Sequence, residues 1–261
     1  MKPLYWLIFF ALLCLPFNLS AQTAEEKGLD IATQAEARDK GFGDYTAEMK
    51  MVLISRHGDK ITRKMRGKFL EVETDGDKSL LIFDNPRDVK GTAMLTHSHK
   101  NESDEQWLYL PALHRTKRIS SSGKSGSFMA SEFTYEDLTS QEIEKFTFKW
   151  LRDEEYNGMD CYVLERVPTD PESGYTKEII WLDQAELRSW KVEFYDRKRS
   201  KLKTLISSKF KKYKKKFWRA EVAMMTNHQN KKKTKMIWKN FKFNTGLSAR
   251  DFEKNVLQRL R

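Results

Sequence analysis

Cysteine is scarce in this chain of 261 residues, which contains only Cys14 and Cys161. Two cysteines cannot supply the crosslinks of a disulfide-stabilised scaffold, so that class of fold is excluded. Sustained hydrophobicity is also lacking, because the mean hydropathy is −0.71 and 33% of the residues are charged. A polytopic membrane protein is therefore excluded. The chain shows neither a linker nor a repeat of fixed period, which predicts one domain after the N-terminal segment.

No motif of catalytic or phosphate-binding chemistry is complete. Gly123-Lys124-Ser125 resembles the end of a phosphate-binding loop, but Arg118 stands where the leading glycine is needed. The Gly-x-Ser-x-Gly elbow of many serine hydrolases is absent. Among five histidines only His97 and His99 lie close in sequence, and the residues that follow them, 100–104, have the composition of a solvated loop that does not indicate a third and fourth metal ligand. We therefore predict no enzyme activity, no cofactor and no metal site.

Aromatic residues and positive charge are abundant. The 16 Phe, 9 Tyr and 7 Trp provide more apolar surface to bury than a disordered chain has. Lys and Arg number 48 against 37 Asp and Glu, which gives a net charge of +11. Such an excess indicates nucleic acid or an anionic membrane as partner, or only a well-solvated exterior.

The N-terminal residues 1–21 have the features of a secretory signal peptide. Lys2 precedes an apolar stretch from Leu4 to Leu19, and Ala21 ends it before the polar Gln22. We predict cleavage after Ala21; an uncleaved membrane anchor is the alternative. Export would carry nearly all of the positive charge into the cell envelope, where membrane headgroups replace nucleic acid as the expected polyanion. One cysteine would remain, Cys161, and its apolar neighbours predict a buried side chain.

The remaining chain, residues 22–261, reads as one helix followed by strands. Glu25 to Lys40 has apolar residues at helical spacing and is stopped by Gly41 and Gly43. Beyond them apolar residues alternate with polar ones in roughly ten segments separated by turn residues, and Asp251 to Leu260 resembles a short helix. This order predicts a mainly β fold, with one mostly antiparallel sheet or open barrel.

Large apolar side chains and lysine clusters mark the second half of the chain. An open sheet with few helices leaves an apolar concave face that suits an apolar ligand, although an ordinary core explains most such residues equally well. The candidate cavity residues are Trp150, Trp181, Trp190, Phe194, Trp218, Met224 and Trp238. The lysines of 211–216 and 231–235 either form a solvated rim or approach anionic lipid.

The middle of the chain carries a family resemblance. The segment from Asp84 to Leu138 includes Asp84-Asn85-Pro86-Arg87-Asp88, Gln106-Trp107-Leu108-Tyr109-Leu110-Pro111 and Ser131-Glu132-Phe133-Thr134-Tyr135-Glu136-Asp137-Leu138. It resembles the bacterial outer membrane lipoprotein-sorting protein family, which is LolA-like in fold and often accompanies exporters of the RND/MMPL type. Trp181-Leu182-Asp183 and Phe241-Lys242-Phe243-Asn244-Thr245-Gly246 agree with the resemblance.

This resemblance implies an incomplete antiparallel β-barrel with covering helices that shelters acyl chains in the periplasm. The cargo would be a lipid or an acylated protein, and an RND/MMPL exporter of the inner membrane a partner. The resemblance also implies a lid or docking loop, whose candidates are Ser120, Ser121, Ser122, Gly123, Gly126, Phe128 and Tyr135. The alternatives are an adaptor that docks on an exporter without carrying lipid and, more remotely, an envelope hydrolase.

Overall fold

The computed structural model describes residues 22–260, so the predicted signal peptide lies outside the described residues. Helix α1 (Ala24–Asp39) begins at Thr23, whose hydroxyl accepts a hydrogen bond from the Glu26 N–H. The Glu26 carboxylate in turn accepts one from the Thr23 N–H, which completes a capping box. Beyond the helix, Gly41 has a φ of +92°, a backbone conformation that glycine adopts without strain. The predicted helix is thus confirmed to within a residue at each end.

Between α1 and residue 260, the last that the structure describes, thirteen antiparallel strands form a single sheet. They are β1 (Asp44–Ile54), β2 (Lys60–Leu70), β3 (Lys78–Asn85), β4 (Ala93–His97), β5 (Glu105–Leu110), β6 (Arg115–Arg118), β7 (Phe146–Tyr156), β8 (Met159–Pro168), β9 (Tyr175–Asp183), β10 (Ser189–Asp196), β11 (Lys201–Tyr213), β12 (Phe217–Asn227) and β13 (Lys233–Phe243). The sheet order is β6-β5-β4-β3-β2-β1-β13-β12-β11-β10-β9-β8-β7. Strands β1–β6 form a first meander and strands β7–β13 a second. The two meanders meet where β1 pairs with β13, and β6 and β7 form the edges of an open sheet.

The long connection from β6 to β7 joins the two edges of the sheet. We call residues 119–145 the strap. It contains four single-turn 3₁₀ helices, and its Phe128 and Phe133 are buried in the main core with residues of both meanders. The strap therefore lies against the inner face of the sheet.

The sheet around β3, β4 and β5 is buried on both faces. Leu81 and Met94 belong to the main core on the inner face. Leu80 and Leu95 pack on the other face against Phe252 and against residues of helix α2 (Val256–Arg259) near the C-terminus. No helix among residues 22–260 combines the length and the apolar character needed to cross a membrane.

The predicted mainly β, antiparallel architecture is confirmed, but the sequence pattern revealed fewer strands than the thirteen observed. Strand β4 is not predicted from the sequence because its first four residues are all buried, so polar residues do not alternate with apolar ones. Strand β6 is not predicted either, because its sequence, Arg-Thr-Lys-Arg, is that of a polar edge strand and has no apolar positions.

Candidate functional site

A cavity of about 1360 Å³ lies between the inner face of the sheet, α1 and the strap. Its apolar floor comes from inward-facing positions of neighbouring strands in the second meander. These are Leu164, Ile180, Leu182, Val192, Phe194, Leu205 and Met225. Because side chains alternate between the faces of a strand, β8 to β12 together cover one wall of the cavity.

Helix α1 closes one side of the cavity with Ala32 and Ala35. Gly28 lets the helix approach strand β7 closely: a Cβ atom at this position would lie 2.6 Å from the backbone nitrogen of Trp150. The Lys27 ammonium lies 3.6 Å from the centre of the Trp150 ring and adds a cation–π contact. The width of the cavity therefore depends on a glycine at position 28.

A buried ion pair anchors the strap to the sheet. Lys203 of β11 is 1% exposed, and its Nζ donates to Asp137 Oδ2 at 2.6 Å and to the Glu132 carbonyl at 3.1 Å. The Tyr175 hydroxyl donates to Asp137 Oδ1 at 2.8 Å, and burial holds the pKa of this tyrosine well above its ordinary value. The charges of Lys203 and Asp137 are thus paired and hydrogen-bonded, as buried charges must be.

Two glutamates anchor the strap at further points. Glu132 accepts a hydrogen bond from Asn227 Nδ2 at 2.8 Å, and its backbone N–H donates to Thr234 Oγ1 at 2.9 Å. Glu136 accepts hydrogen bonds from the Ser173 hydroxyl at 2.9 Å and from the Gly174 N–H at 3.1 Å. Burial raises the pKa of Glu136. The strap from Glu132 onward is therefore held by side chains of β9, β11, β12 and β13 or their adjoining turns.

Of the seven candidate cavity residues, Phe194 lines the cavity. Trp150 and Trp238 pack against the same core outside the lining. Trp181 lies in a separate cluster with Cys161, and its Nε1 donates to Glu154 at 3.1 Å. The Cys161 side chain is fully buried, as predicted.

Trp190, Trp218 and Met224 also lie outside the lining. The Arg188 guanidinium lies 5.1 Å from the Trp190 ring and 4.5 Å from the Trp218 ring. Pairing with β9 shifts register between Ser189 and Lys191, so Trp190 does not follow the alternation of Val192 and Phe194. In β12, Ala223 and Met225 are the buried positions, so Met224 is on the opposite face. Met225 lines the cavity in its place and was not among the candidates, like the other floor residues apart from Phe194.

The lid candidates divide into two groups. Ser120 and Ser121 line the cavity, whereas Ser122, Gly123 and Gly126 lie in the same turn region outside the lining. Phe128 is fully buried, and its ring lies 5.8 Å from the Tyr135 ring in an edge-to-face contact. Phe128 and Tyr135 therefore belong to the packed part of the strap.

The two lysine clusters lie at opposite ends of β12. Lysines 211–216 surround the β11–β12 hairpin turn, and lysines 231–233 surround the β12–β13 turn. The Lys216 ammonium donates to the Lys40 carbonyl, so the first cluster is next to the end of α1. A membrane role for these lysines stays a prediction.

Asp77 is an acidic cavity residue that sequence reasoning did not single out. Its Oδ1 accepts a hydrogen bond from the Val72 N–H at 3.1 Å. Burial, together with the charges of Glu142, Glu71 and Asp39, raises the pKa of Asp77 to about 7. No pattern marks it in the sequence, because Asp75-Gly76-Asp77 reads as a turn.

Asp77→Asn is expected to stabilise the protein above neutral pH. A raised carboxyl pKa means that the folded state holds its proton more tightly, so the wild type loses stability as the pH rises from about 4 to about 7. One pKa unit corresponds to about 1.4 kcal/mol, and we reduce the full effect because solvent screens a carboxyl that is only partly enclosed. At pH 8 the free energy of unfolding of the variant should therefore exceed that of the wild type by on the order of 2 kcal/mol. Urea unfolding at pH 4 and pH 8 measures this; an equal gain at both values would contradict it.

Comparisons with known proteins identify relatives of the whole fold. A family model described as an uncharacterized protein matches residues 75–259. A domain named for outer membrane lipoprotein sorting, from Vibrio parahaemolyticus, is 57% identical with a TM-score of 0.89, over 90% of this chain and 100% of that chain. A DUF1329 family protein from Desulfovibrio piger is 28% identical with a TM-score of 0.85, over 90% and 99% of the two chains.

A more distant relative shows the fold alone. A LolA superfamily protein from Nitrosomonas europaea is 19% identical with a TM-score of 0.70, over 90% of this chain and 100% of that chain. No protein with a curated description matches this chain. With its LolA-like incomplete barrel and its 57% identity to the whole Vibrio domain, this chain belongs to the outer membrane lipoprotein-sorting protein family.

Proposed function

We propose that this protein is a periplasmic carrier that binds the acyl chains of a lipid or lipoprotein in the cavity and releases them to an acceptor. The observation that supports the proposal most directly is the cavity of about 1360 Å³ with its apolar floor. This volume exceeds the roughly 300–1000 Å³ of a typical small-molecule site. Burial yields about 0.8 kcal/mol per CH₂, so a 14-carbon chain supplies on the order of ten kcal/mol before ordering costs.

The periplasmic location rests on the predicted signal peptide and on the family. The partner of the protein in this proposal is an inner-membrane exporter of the RND/MMPL type. This part of the proposal rests on the family resemblance alone. Reversible binding of an acyl chain in the cavity needs no covalent step, so the proposed carrier is not an enzyme.

Neighbouring residues of β11 provide a matched test. Leu205 lines the cavity, whereas Ile206 is on the opposite face and is 41% exposed. Leu205→Glu places a charge against the acyl chain and should weaken lipid binding at least about tenfold. Ile206→Glu, with the same change of charge, should bind as the wild type does.

The measurement is lipid extraction and native mass spectrometry of the purified mature protein, followed by titration with an uncharged fluorescent apolar probe. Thermal unfolding of both variants checks that they are folded. Co-purifying lipid in the wild type and in Ile206→Glu, with loss in Leu205→Glu, supports the carrier. A wild type without exchangeable lipid would favour the adaptor instead.

A further inference from the structure

The charge of the cavity lining is opposite to that of the chain. Fourteen Asp and Glu residues line the cavity, against seven Lys and Arg. The whole chain has the reverse excess, with 48 Lys and Arg against 37 Asp and Glu. The acidic residues come from α1, the strap and several strand ends, so the negative potential extends over the lining. Such a lining attracts cations and repels anions.

Most of the basic residues in the lining are already neutralised. Five of the seven form ion pairs within the described residues: Lys40 with Glu36, Lys124 with Asp170, Lys145 with Asp104, Arg166 with Glu178, and Arg219 with Asp39. By contrast, Glu71, Asp77, Glu136, Glu142 and Glu144 have no ion-pair partner among residues 22–260. The net negative charge that faces the cavity is therefore not cancelled locally.

Glu142 of the strap is the acidic residue that most clearly lacks a partner. It is 8% exposed and lines the cavity, yet within residues 22–260 its carboxylate accepts no hydrogen bond. Carboxylate oxygens of Glu36, Glu142 and Glu144 all lie within 4.8 Å of one another. Burial and the charge of Glu36 raise the pKa of Glu142, whereas Lys100 and Lys145 lower it from a distance. Lys40 pairs with Glu36, and the charges of Glu144 and Glu142 help to raise the pKa of Lys40, so one ammonium faces three carboxylates and the group keeps an excess of negative charge.

The apolar floor and the acidic residues belong to one cavity. We propose that the cargo is an amphiphile whose apolar chain lies on this floor and whose polar end carries an ammonium group that pairs with Glu142. This inference rests on the proposed acyl-binding function and adds the charge class of the head group. An ammonium donates up to three hydrogen bonds and so can pair with Glu142 and Glu144, the two carboxylates of this group that form no ion pair within residues 22–260. An anionic head group would meet like charges there.

The test compares dodecylamine, dodecanoate and dodecanol, below their micellar concentrations, as competitors of one fluorescent apolar probe at pH 7.5. The three share a chain length and differ in the charge of the head. The wild type should bind dodecylamine at least about tenfold more tightly than dodecanoate. The ammonium of dodecylamine forms a charge-assisted pair with Glu142, whereas the carboxylate of dodecanoate is repelled by it. Glu142→Gln should reduce this preference several-fold and leave dodecanol binding unchanged.

Glu48→Gln is the matched control, because Glu48 is exposed on β1 outside the cavity lining and the variant has the same net charge. It should keep the wild-type preference. Equal affinity of the wild type for amine and acid, with dodecanol still bound, would overturn the inference and leave the carrier function standing. A preference unchanged in Glu142→Gln would overturn the role of Glu142. If none of the three compounds binds, the carrier function fails as well.

Discussion

Lys203→Met is expected to lower the free energy of unfolding by about 3–5 kcal/mol, because it leaves the Asp137 carboxylate buried without its cation. Lys203 Nζ lies 2.6 Å from Asp137 Oδ2, and the lysine side chain is almost fully enclosed. The ammonium also lies 5.1 Å from the centres of the Tyr175 and Phe194 rings, so its loss removes two cation–π contacts. Urea unfolding at pH 7.5 measures the change.

Lys201→Met is the control in the same strand. Lys201 is largely exposed, and its partner Glu193 keeps a second cation in Lys191. Because Lys201 is exposed and the buried Glu193 keeps its ion pair with Lys191, this variant should lose no more than about 1 kcal/mol. The double variant Lys203→Met with Asp137→Asn removes both charges and should recover a large part of the loss. Equal costs for Lys203→Met and Lys201→Met would show that the ion pair does not hold the strap.

Gly28→Ala is expected to destabilise the protein by about 2–3 kcal/mol, as overpacking of a close contact does. The added Cβ would lie 2.6 Å from the Trp150 nitrogen and 2.7 Å from the Lys149 carbonyl carbon, and backbone atoms cannot give way as a flexible side chain does. The helix would have to move away from β7, and Ala32 and Ala35 would move with it. The affinity for an apolar probe should therefore change together with the stability.

The expected loss of stability in Gly28→Ala is opposite in sign to the usual effect of this substitution in a helix. At an exposed helix position, glycine to alanine stabilises by up to about 1 kcal/mol. Thr33→Ala, at an exposed position of the same helix, is the control and should change the stability by less than about 1 kcal/mol. Thermal unfolding of both variants measures the difference. A more stable Gly28→Ala protein would contradict the tight packing of α1 on β7.

Much of the fold follows from local patterns in the sequence. Helix α1 was predicted to within a residue because its apolar residues recur at helical spacing and two glycines stop the pattern at its C-terminal end. Strand β1 was predicted because Ala47, Met49 and Met51 alternate with polar residues and only one of its faces is buried. Strand β4 was not predicted, because the C-terminal segment covers its second face and removes the alternation.

The candidate cavity residues were harder to predict than the strands. Alternation shows that Trp218 and Met224 share a face but not which face is concave, and in β12 the inner face carries Ala223 and Met225. In β10 the shift of register at Trp190 changes the face part-way along the strand. A large aromatic side chain marks burial, and burial occurs on both faces of this sheet.

The sequence by itself determined a mainly β chain of one family, with an N-terminal helix and a large positive net charge. The tertiary structure alone decided which side chains line the cavity and that the lining is acidic. The physical reason is distance along the chain: Glu36 and Glu142 meet only because the strap returns across the sheet beside α1. Likewise, Lys203 and Asp137 are 66 residues apart, and no local pattern marks either as the partner of the other.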